Sequence, residues 1–281
     1  MNDRVNIIFK PTCFIFIFAL LWACNPDEDY IKLKGSDTVL PIAQKEAEVY
    51  LAQHPDASIT VTGGGSGVGI AALIDGTTHI AMASREIKIA EELRLQNTDQ
   101  EVRETIVAYD ALAVVVHPDN PMEQITRKQL EYIYSGKVKN WKEIGGPDMT
   151  LVSYARETSS GTYEYFKEVV LENREYAPSV LSLNSNGAIL QSVSQTPGAI
   201  GYVGLAYLND QIKALSVSFN EKDNFVAPTV ENSKKKTYPI SRPLYFYYLD
   251  QTRERIEPFL SFILSDKGQQ IIKNLGYVPI N

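Results

Sequence analysis

The sequence predicts an α/β protein of two lobes, and two observations carry that prediction. Short runs of β-branched and aromatic residues alternate along the chain with segments whose apolar residues recur at helical spacing. Such alternation is typical of helices packed on parallel or mixed sheets. The second observation is the length of 281 residues, because a single hydrophobic core seldom grows that large.

The predicted strands are rich in β-branched or aromatic residues. They cover 59–62, 80–83, 106–109, 111–116, 151–154, 199–203 and 244–249. The predicted helices lie near 40–53, 69–75, 89–96, 127–134, 161–172, 187–194 and 253–273. Thr126 and Gln129 have the spacing of a capping box, which favours a helix start at that point.

The amino terminus has the pattern of a secretory signal peptide. Arg4 and Lys10 give a short basic start, and an apolar run over 13–23 follows them. That run is shorter than the roughly 20 apolar residues that a membrane-spanning helix needs. We therefore expect residues 1–23 to be removed and the protein to be exported from the cytoplasm.

Residues 21–24 resemble a bacterial lipobox, the sequence at which a cysteine is lipidated after cleavage. We expect lipid on Cys24 to anchor the protein to a membrane outside the cytoplasm. Residues 24–30 are then a solvated tether, because the segment 25–29 is polar and acidic. A buried helix with an incidental cysteine is the alternative interpretation.

Composition excludes several classes of function. The net charge of −7 argues against a nucleic-acid partner and gives no polybasic surface for a membrane. Two cysteines are too few for a disulfide scaffold or a cysteine zinc cluster. The three histidines are far apart and lack metal-binding spacing. We expect no metal and no cofactor.

Three short segments place Gly, Ser or Thr where a helix is predicted to begin, at 35–38, 63–67 and 158–162. The free N–H groups and the dipole of a helix amino terminus favour negative charge. Arg156, just before the third segment, can offer a two-pronged donor to an oxyanion. Together these donors can surround a small tetrahedral anion, although each segment alone is also explained as an N-cap or a turn.

The sequence gives weaker support to enzyme and nucleotide functions. Gly67, Gly69 and Ala72 match the degenerate dinucleotide pattern G-x-G-x-x-A after a predicted strand. The glycines are not followed by the lysine of a phosphate-binding P-loop. Ser66 does not lie in a Gly-x-Ser-x-Gly nucleophile motif.

The chain resembles the phosphate-binding protein of bacterial phosphate ABC transporters. The resemblance covers nearly the whole chain after the tether and rests on six segments: 35–43, 62–70, 80–87, 156–162, 197–203 and 238–241. It implies a type II periplasmic-binding-protein fold, whose two α/β lobes of mixed sheets and flanking helices are joined by two hinge crossings. We expect the crossings near 109–111 and 238–243. The first lobe would contain 31–109 plus 240–281, and the second would contain 110–239.

The resemblance implies that several donors surround the bound phosphate. They are Ser36, Thr38, Val39, Ser66, Ser84, Arg156, Ser160, Gly161 and Thr162. Thr38 and Ser66 would supply hydroxyl groups and Val39 a backbone N–H. Arg156 would donate in two-pronged fashion.

Two residues depart from the pattern of some family members. Arg85 stands where those members have an aspartate that accepts the proton of phosphate and thereby rejects sulfate. Asp37 or Glu86 is the candidate for that duty here. Thr158 stands where some members have an aspartate that orients the phosphate-binding arginine, which corresponds to Arg156 here.

The implied function is a receptor without enzymatic activity. It would be a monomer that captures inorganic phosphate and delivers the ion to a membrane permease. Three alternatives stay open: the same cage for sulfate, molybdate or tungstate, a phosphatase that uses Ser66, and a signalling receptor or adhesin without transport.

Overall fold

The computed structural model describes residues 30–96, 100–220 and 224–281. The predicted signal peptide, Cys24 and the tether up to residue 29 lie outside the described residues. Tyr30, placed in the tether from the sequence, is instead the first residue of a strand. Within the described ranges, every helix is too short or too polar to span a bilayer.

The described residues form strands and helices that alternate along most of the chain. The strands are β1 Tyr30–Gly35, β2 Ser58–Thr62, β3 Ile80–Ala83, β4 Val102–Val116, β5 Gln124–Thr126, β6 Val152–Arg156, β7 Leu181–Leu183, β8 Ala199–Gly204, β9 Lys213–Ala214, β10 Ser216–Ser218 and β11 Ser241–Leu249. The α-helices are α1 Leu40–Leu51, α2 Ser66–Ile74, α3 Ile89–Gln96, α4 Arg127–Tyr134, α5 Gly161–Val169, α6 Asn186–Gln195, α7 Val230–Lys234, α8 Arg253–Leu264 and α9 Asp266–Asn274.

One mixed sheet runs through the molecule in the order β2-β1-β3-β11-β4-β8-β6-β7, and β9 pairs with β4. The outer pairs β1–β2 and β6–β7 are parallel. In the middle, β11 is antiparallel to both β3 and β4. The predicted α/β class with mixed sheets is confirmed.

The buried apolar residues form two groups, and the division between them falls along β4, between residues 108 and 111. One group draws on 31–108 and 244–277. The other draws on 111–240. We call the two bodies the first and the second lobe. The residue limits of the lobes given from the sequence stay a prediction.

Several element boundaries differ from those predicted. The helix predicted over 253–273 is two helices, because extended Ser265 ends α8 and its hydroxyl caps α9 by accepting the Gly268 N–H. The strand β1 was not predicted, because Lys32 and Lys34 interrupt its apolar residues. The capping box at Thr126 is confirmed, with the Gln129 N–H donating to Thr126 Oγ1 at 3.1 Å.

Glu46 is a charged residue type in an apolar position of α1. Its side chain is fully buried, and neither carboxylate oxygen has a hydrogen-bond partner among the described residues. Burial without a partner raises the pKa of this carboxyl from its ordinary 4.5 to about 8. Glu46 is therefore protonated in the folded protein at neutral pH.

We expect Glu46 to make the folded state less stable as the pH rises. The unfolded carboxyl ionises near pH 4.5 and the folded one near 8, so the unfolded state loses its proton first. Between these values the free energy of unfolding should fall by up to about 1.4 kcal/mol per pH unit. Glu46→Gln should remove that slope in denaturant titrations. The exposed Glu48→Gln on the same helix should leave the slope in place, and an unchanged slope in Glu46→Gln would contradict this explanation.

Candidate anion-binding site

Three helices begin at one place between the two lobes. Helix α1 follows Thr38 and α2 begins at Ser66, both in the first lobe, whereas α5 begins at Gly161 in the second. Thr38 Oγ1 and Thr162 Oγ1 lie 3.0 Å apart across the cleft. A methyl group added at Gly161 would collide with Ser66 Oγ and lie 2.7 Å from Ser84 Oγ. The three donor-rich segments found in the sequence therefore meet in the fold.

The cluster of polar residues at this meeting point also contains three buried serines of the first lobe. Ser36 Oγ donates to Ser84 Oγ at 3.0 Å, and the Ser84 N–H donates to Ser66 Oγ at 3.0 Å. All three side chains are buried. In the second lobe, Ser160 Oγ caps α5 by accepting the Thr162 N–H at 3.2 Å. Val39 is adjacent, but its N–H already donates to the Ser36 carbonyl at 3.1 Å.

Arg156 ends strand β6 and is almost completely buried. Its Nη2 donates to Asp37 Oδ2 at 2.6 Å and to the Asn184 carbonyl at 2.8 Å. Its Nε and Nη1 are buried and have no partner among the described residues. Because a buried donor without a partner is costly, this guanidinium is arranged to donate to a further group.

Arg242 is a second buried guanidinium at the site, and the sequence analysis did not identify it. It lies on β11 opposite Asp110 of β4, and its Nη2 lies 3.2 Å from Asp110 Oδ2. The same Nη2 donates to Thr162 Oγ1 at 2.8 Å, and Nη1 donates to the Ser84 carbonyl at 3.0 Å. Burial raises the pKa of Asp110, and Arg242 opposes that rise. The available signal was a charged residue at the start of an otherwise apolar strand.

The two acidic residues that are candidates for accepting the phosphate proton, Asp37 and Glu86, lie in different places. Asp37 lies at the cluster, where it bonds Arg156. Glu86 is exposed and lines a different cavity with Glu104 and Tyr247. The structure therefore does not bring Glu86 to the cluster, and its role as a proton acceptor stays a prediction.

Arg85 is next to the cluster but is neutralised by its own ion pair. Both of its terminal nitrogens donate to the Glu91 carboxylate, at 2.8 and 2.7 Å. Its Nη2 would lie 3.6 Å from a methyl group added at Gly67, which places it beside the start of α2. The guanidinium therefore lies beside the start of α2 without adding an unpaired charge.

Two lobes that bring helix starts and guanidinium groups together define a class of protein, the two-lobed α/β receptors for small ligands. A family model described as the PBP superfamily domain matches residues 23–267. The phosphate-binding protein PstS of Pseudomonas aeruginosa is 32% identical over 266 residues, which cover 88% of this chain and 81% of the relative. PstS of Borreliella burgdorferi is 31% identical and covers 95% of this chain and 96% of the relative.

Solved structures similar to this chain are also named for phosphate transport. A substrate-binding protein ascribed to a phosphate ABC transporter of Clostridium perfringens, solved with bound phosphate, has a TM-score of 0.82. It is 33% identical and covers 90% of this chain and 100% of that one. A phosphate transport receptor of Vibrio cholerae has a TM-score of 0.72 at 33% identity, covering 88% of this chain and 99% of that one. The chain belongs to the PstS family of phosphate-binding proteins within the PBP superfamily.

The buried pair of Asp110 and Arg242 generates a stability test. Arg242→Met leaves a buried carboxylate without its counter-charge, which should cost roughly 3–5 kcal/mol in the free energy of unfolding. The deficit should shrink as the pH falls towards the ordinary Asp pKa of 3.8, because burial raises the pKa of Asp110 and the loss of Arg242 raises it further, so the folded variant takes up a proton above that value. Denaturant titration measures both effects.

Arg103 provides the matched control, because it lies on β4, the strand that pairs with β11, and its own ion pair with Asp250 at 2.8 Å is at the surface. Arg103→Met should leave the unfolding midpoint unchanged. Equal losses in the free energy of unfolding from the two substitutions would show that the buried pair of Asp110 and Arg242 stabilises the fold no more than a surface ion pair does.

Proposed function

We propose that this chain is a lipid-anchored receptor outside the cytoplasm that binds inorganic phosphate between its lobes and delivers the ion to an ABC permease. The observation that carries the proposal is the convergence of three helix starts and the unpaired donors of Arg156 in one buried cluster. The names of the relatives support phosphate as the ion, and one similar structure contains it.

The cluster explains how an acidic protein can hold an anion. Its donors are hydroxyl groups, the N–H groups of helix starts and a guanidinium, all close to the ion. These local dipoles act at hydrogen-bond distance in a place that excludes water, whereas the net charge of −7 is spread over the surface. The local electrostatic field, and not the net charge of the protein, therefore determines that the site favours a negatively charged ligand.

The same contacts support binding over hydrolysis. The Ser66 hydroxyl contacts Ser84, at 3.0 Å from its N–H and 3.3 Å from its hydroxyl, and both are polar groups that cannot act as a general base. The relatives are phosphate-binding proteins by name, and one similar structure is named a phosphate transport receptor. We therefore propose that the chain has no enzymatic activity and acts as a monomer.

Titration calorimetry with phosphate, sulfate and molybdate tests the proposed ligand. We expect a dissociation constant for phosphate in the micromolar range or below, which corresponds to about −8 kcal/mol or stronger. Gly161→Ala should weaken this affinity at least about tenfold, because the added methyl group collides with Ser66 across the cleft.

Gly187→Ala is the control for that substitution, since Gly187 also lies in the first turn of a helix and its added methyl group would meet only Ser185 Oγ, at 3.9 Å. It should bind phosphate as the unaltered protein does. An absence of binding heat with phosphate, or tighter binding of sulfate or molybdate, would contradict the proposed ligand.

We propose export and anchoring on the basis of the sequence of the amino terminus, since Cys24 lies outside the described residues. Lipid on Cys24 would keep the receptor beside its permease while the two lobes remain in water. Metabolic labelling with radioactive palmitate should mark the protein, and Cys24→Ser should abolish the label. Equal labelling of both proteins would show that the lipid is attached elsewhere.

A further inference from the structure

We propose that Asp37 is the residue that positions Arg156 for the anion, and that it does so from the opposite lobe. This inference rests on the proposed function of the site. It assigns to Asp37 a role other than accepting the proton of phosphate, which was the expectation from the sequence.

Asp37 lies in the turn between β1 and α1 of the first lobe, and Arg156 ends β6 of the second. Asp37 Oδ2 accepts from Arg156 Nη2 at 2.6 Å. Asp37 Oδ1 accepts from the Gly64 N–H at 3.2 Å. Both oxygens therefore already have donors, and one of these donors is the cage guanidinium itself.

Within its own lobe, Arg156 has a neutral partner, the Asn184 carbonyl. The residue two positions further on, Thr158, carries no charge. A buried guanidinium needs a carboxylate to offset its loss of water, and Asp37 supplies that charge. The pair uses Nη2, which leaves the buried Nε and Nη1 for the anion.

The backbone of Asp37 is held by the second lobe as well. Its carbonyl accepts from the Tyr207 hydroxyl at 2.7 Å. Tyr207 packs with the core of the second lobe. Asp37 is thus bonded to the second lobe through both its side chain and its backbone.

The contact between Asp37 and Arg156 links closure of the lobes to the orientation of the guanidinium. The carboxylate reaches Arg156 only when the lobes meet, so closure of the lobes and orientation of the guanidinium occur together. Loss of the Asp37 charge should therefore act mainly on the lifetime of the closed complex. The rate of phosphate dissociation should rise, while the association rate should change little.

The test compares phosphate binding by the unaltered protein, Asp37→Asn, Arg156→Ala and the double variant. We expect Asp37→Asn to weaken binding at least about tenfold, with most of the change in the dissociation rate. In the Arg156→Ala background, Asp37→Asn should have almost no further effect. Binding too weak for calorimetry is read from the rise of the thermal unfolding midpoint with phosphate concentration.

Glu164→Gln is the matched control for Asp37→Asn. The Glu164 side chain pairs with Lys88 at 2.7 Å, and this ion pair also joins the two lobes without using Arg156. Glu164→Gln should change phosphate affinity less than about threefold, because a partly exposed ion pair contributes little to the stability of the closed lobes. Asp37→Glu keeps the charge and should recover part of the affinity that Asp37→Asn loses.

Three results would overturn the positioning role. They are unchanged binding by Asp37→Asn, an equal loss in the Arg156→Ala background, and an equal loss in Glu164→Gln. The second would show that Asp37 acts on the ion independently, as a proton acceptor does. Failure of the unaltered protein to bind phosphate would instead overturn the proposed function, on which this inference rests.

Discussion

Buried hydrogen-bond donors that face one another across a cleft are the constraint on which the rest of this structure depends. Arg156 keeps two donor nitrogens out of water without a protein partner among the described residues. The hydroxyls of Thr38 and Thr162, from opposite lobes, lie 3.0 Å apart. A cluster so rich in donors is costly to bury alone, and the proposed oxyanion would stabilise it by accepting from its free donors. The two-lobed fold supplies this cluster by aiming helix starts of both lobes at one point.

The long strands β4 and β11 connect this chemistry to the architecture. Strand β4 runs from the first lobe into the second, and its residues 102–111 pair with β11. Asp110 and Arg242 face each other on these strands, and Arg242 also donates to Thr162 at the cluster. The buried ion pair between the lobes therefore borders the binding site. Movement of the lobes is expected to rearrange the donors of the cage at the same time.

Much of the site was predictable because a helix start has a local signature. The segments around Thr38, Ser66 and Thr162 combine Gly, Ser and Thr with the onset of helical spacing, and the structure brings them together. Arg242 and the contact between Asp37 and Arg156 were not predictable, because each depends on partners far away in the sequence. The place of Glu86 was not predictable for a related reason. Ser84 and Glu86 both follow β3, two positions apart, and sequence spacing alone does not say which one faces the cleft.

The most direct measurement is the position of a bound anion in a crystal of the protein grown with arsenate, located by its anomalous scattering. The account requires one tetrahedral ion within hydrogen-bond distance of Arg156 Nε or Nη1, of Ser66 and of the first turn of α5. An ion found only at the surface, or crystals in which the cluster stays free of arsenate at saturating concentration, would contradict it.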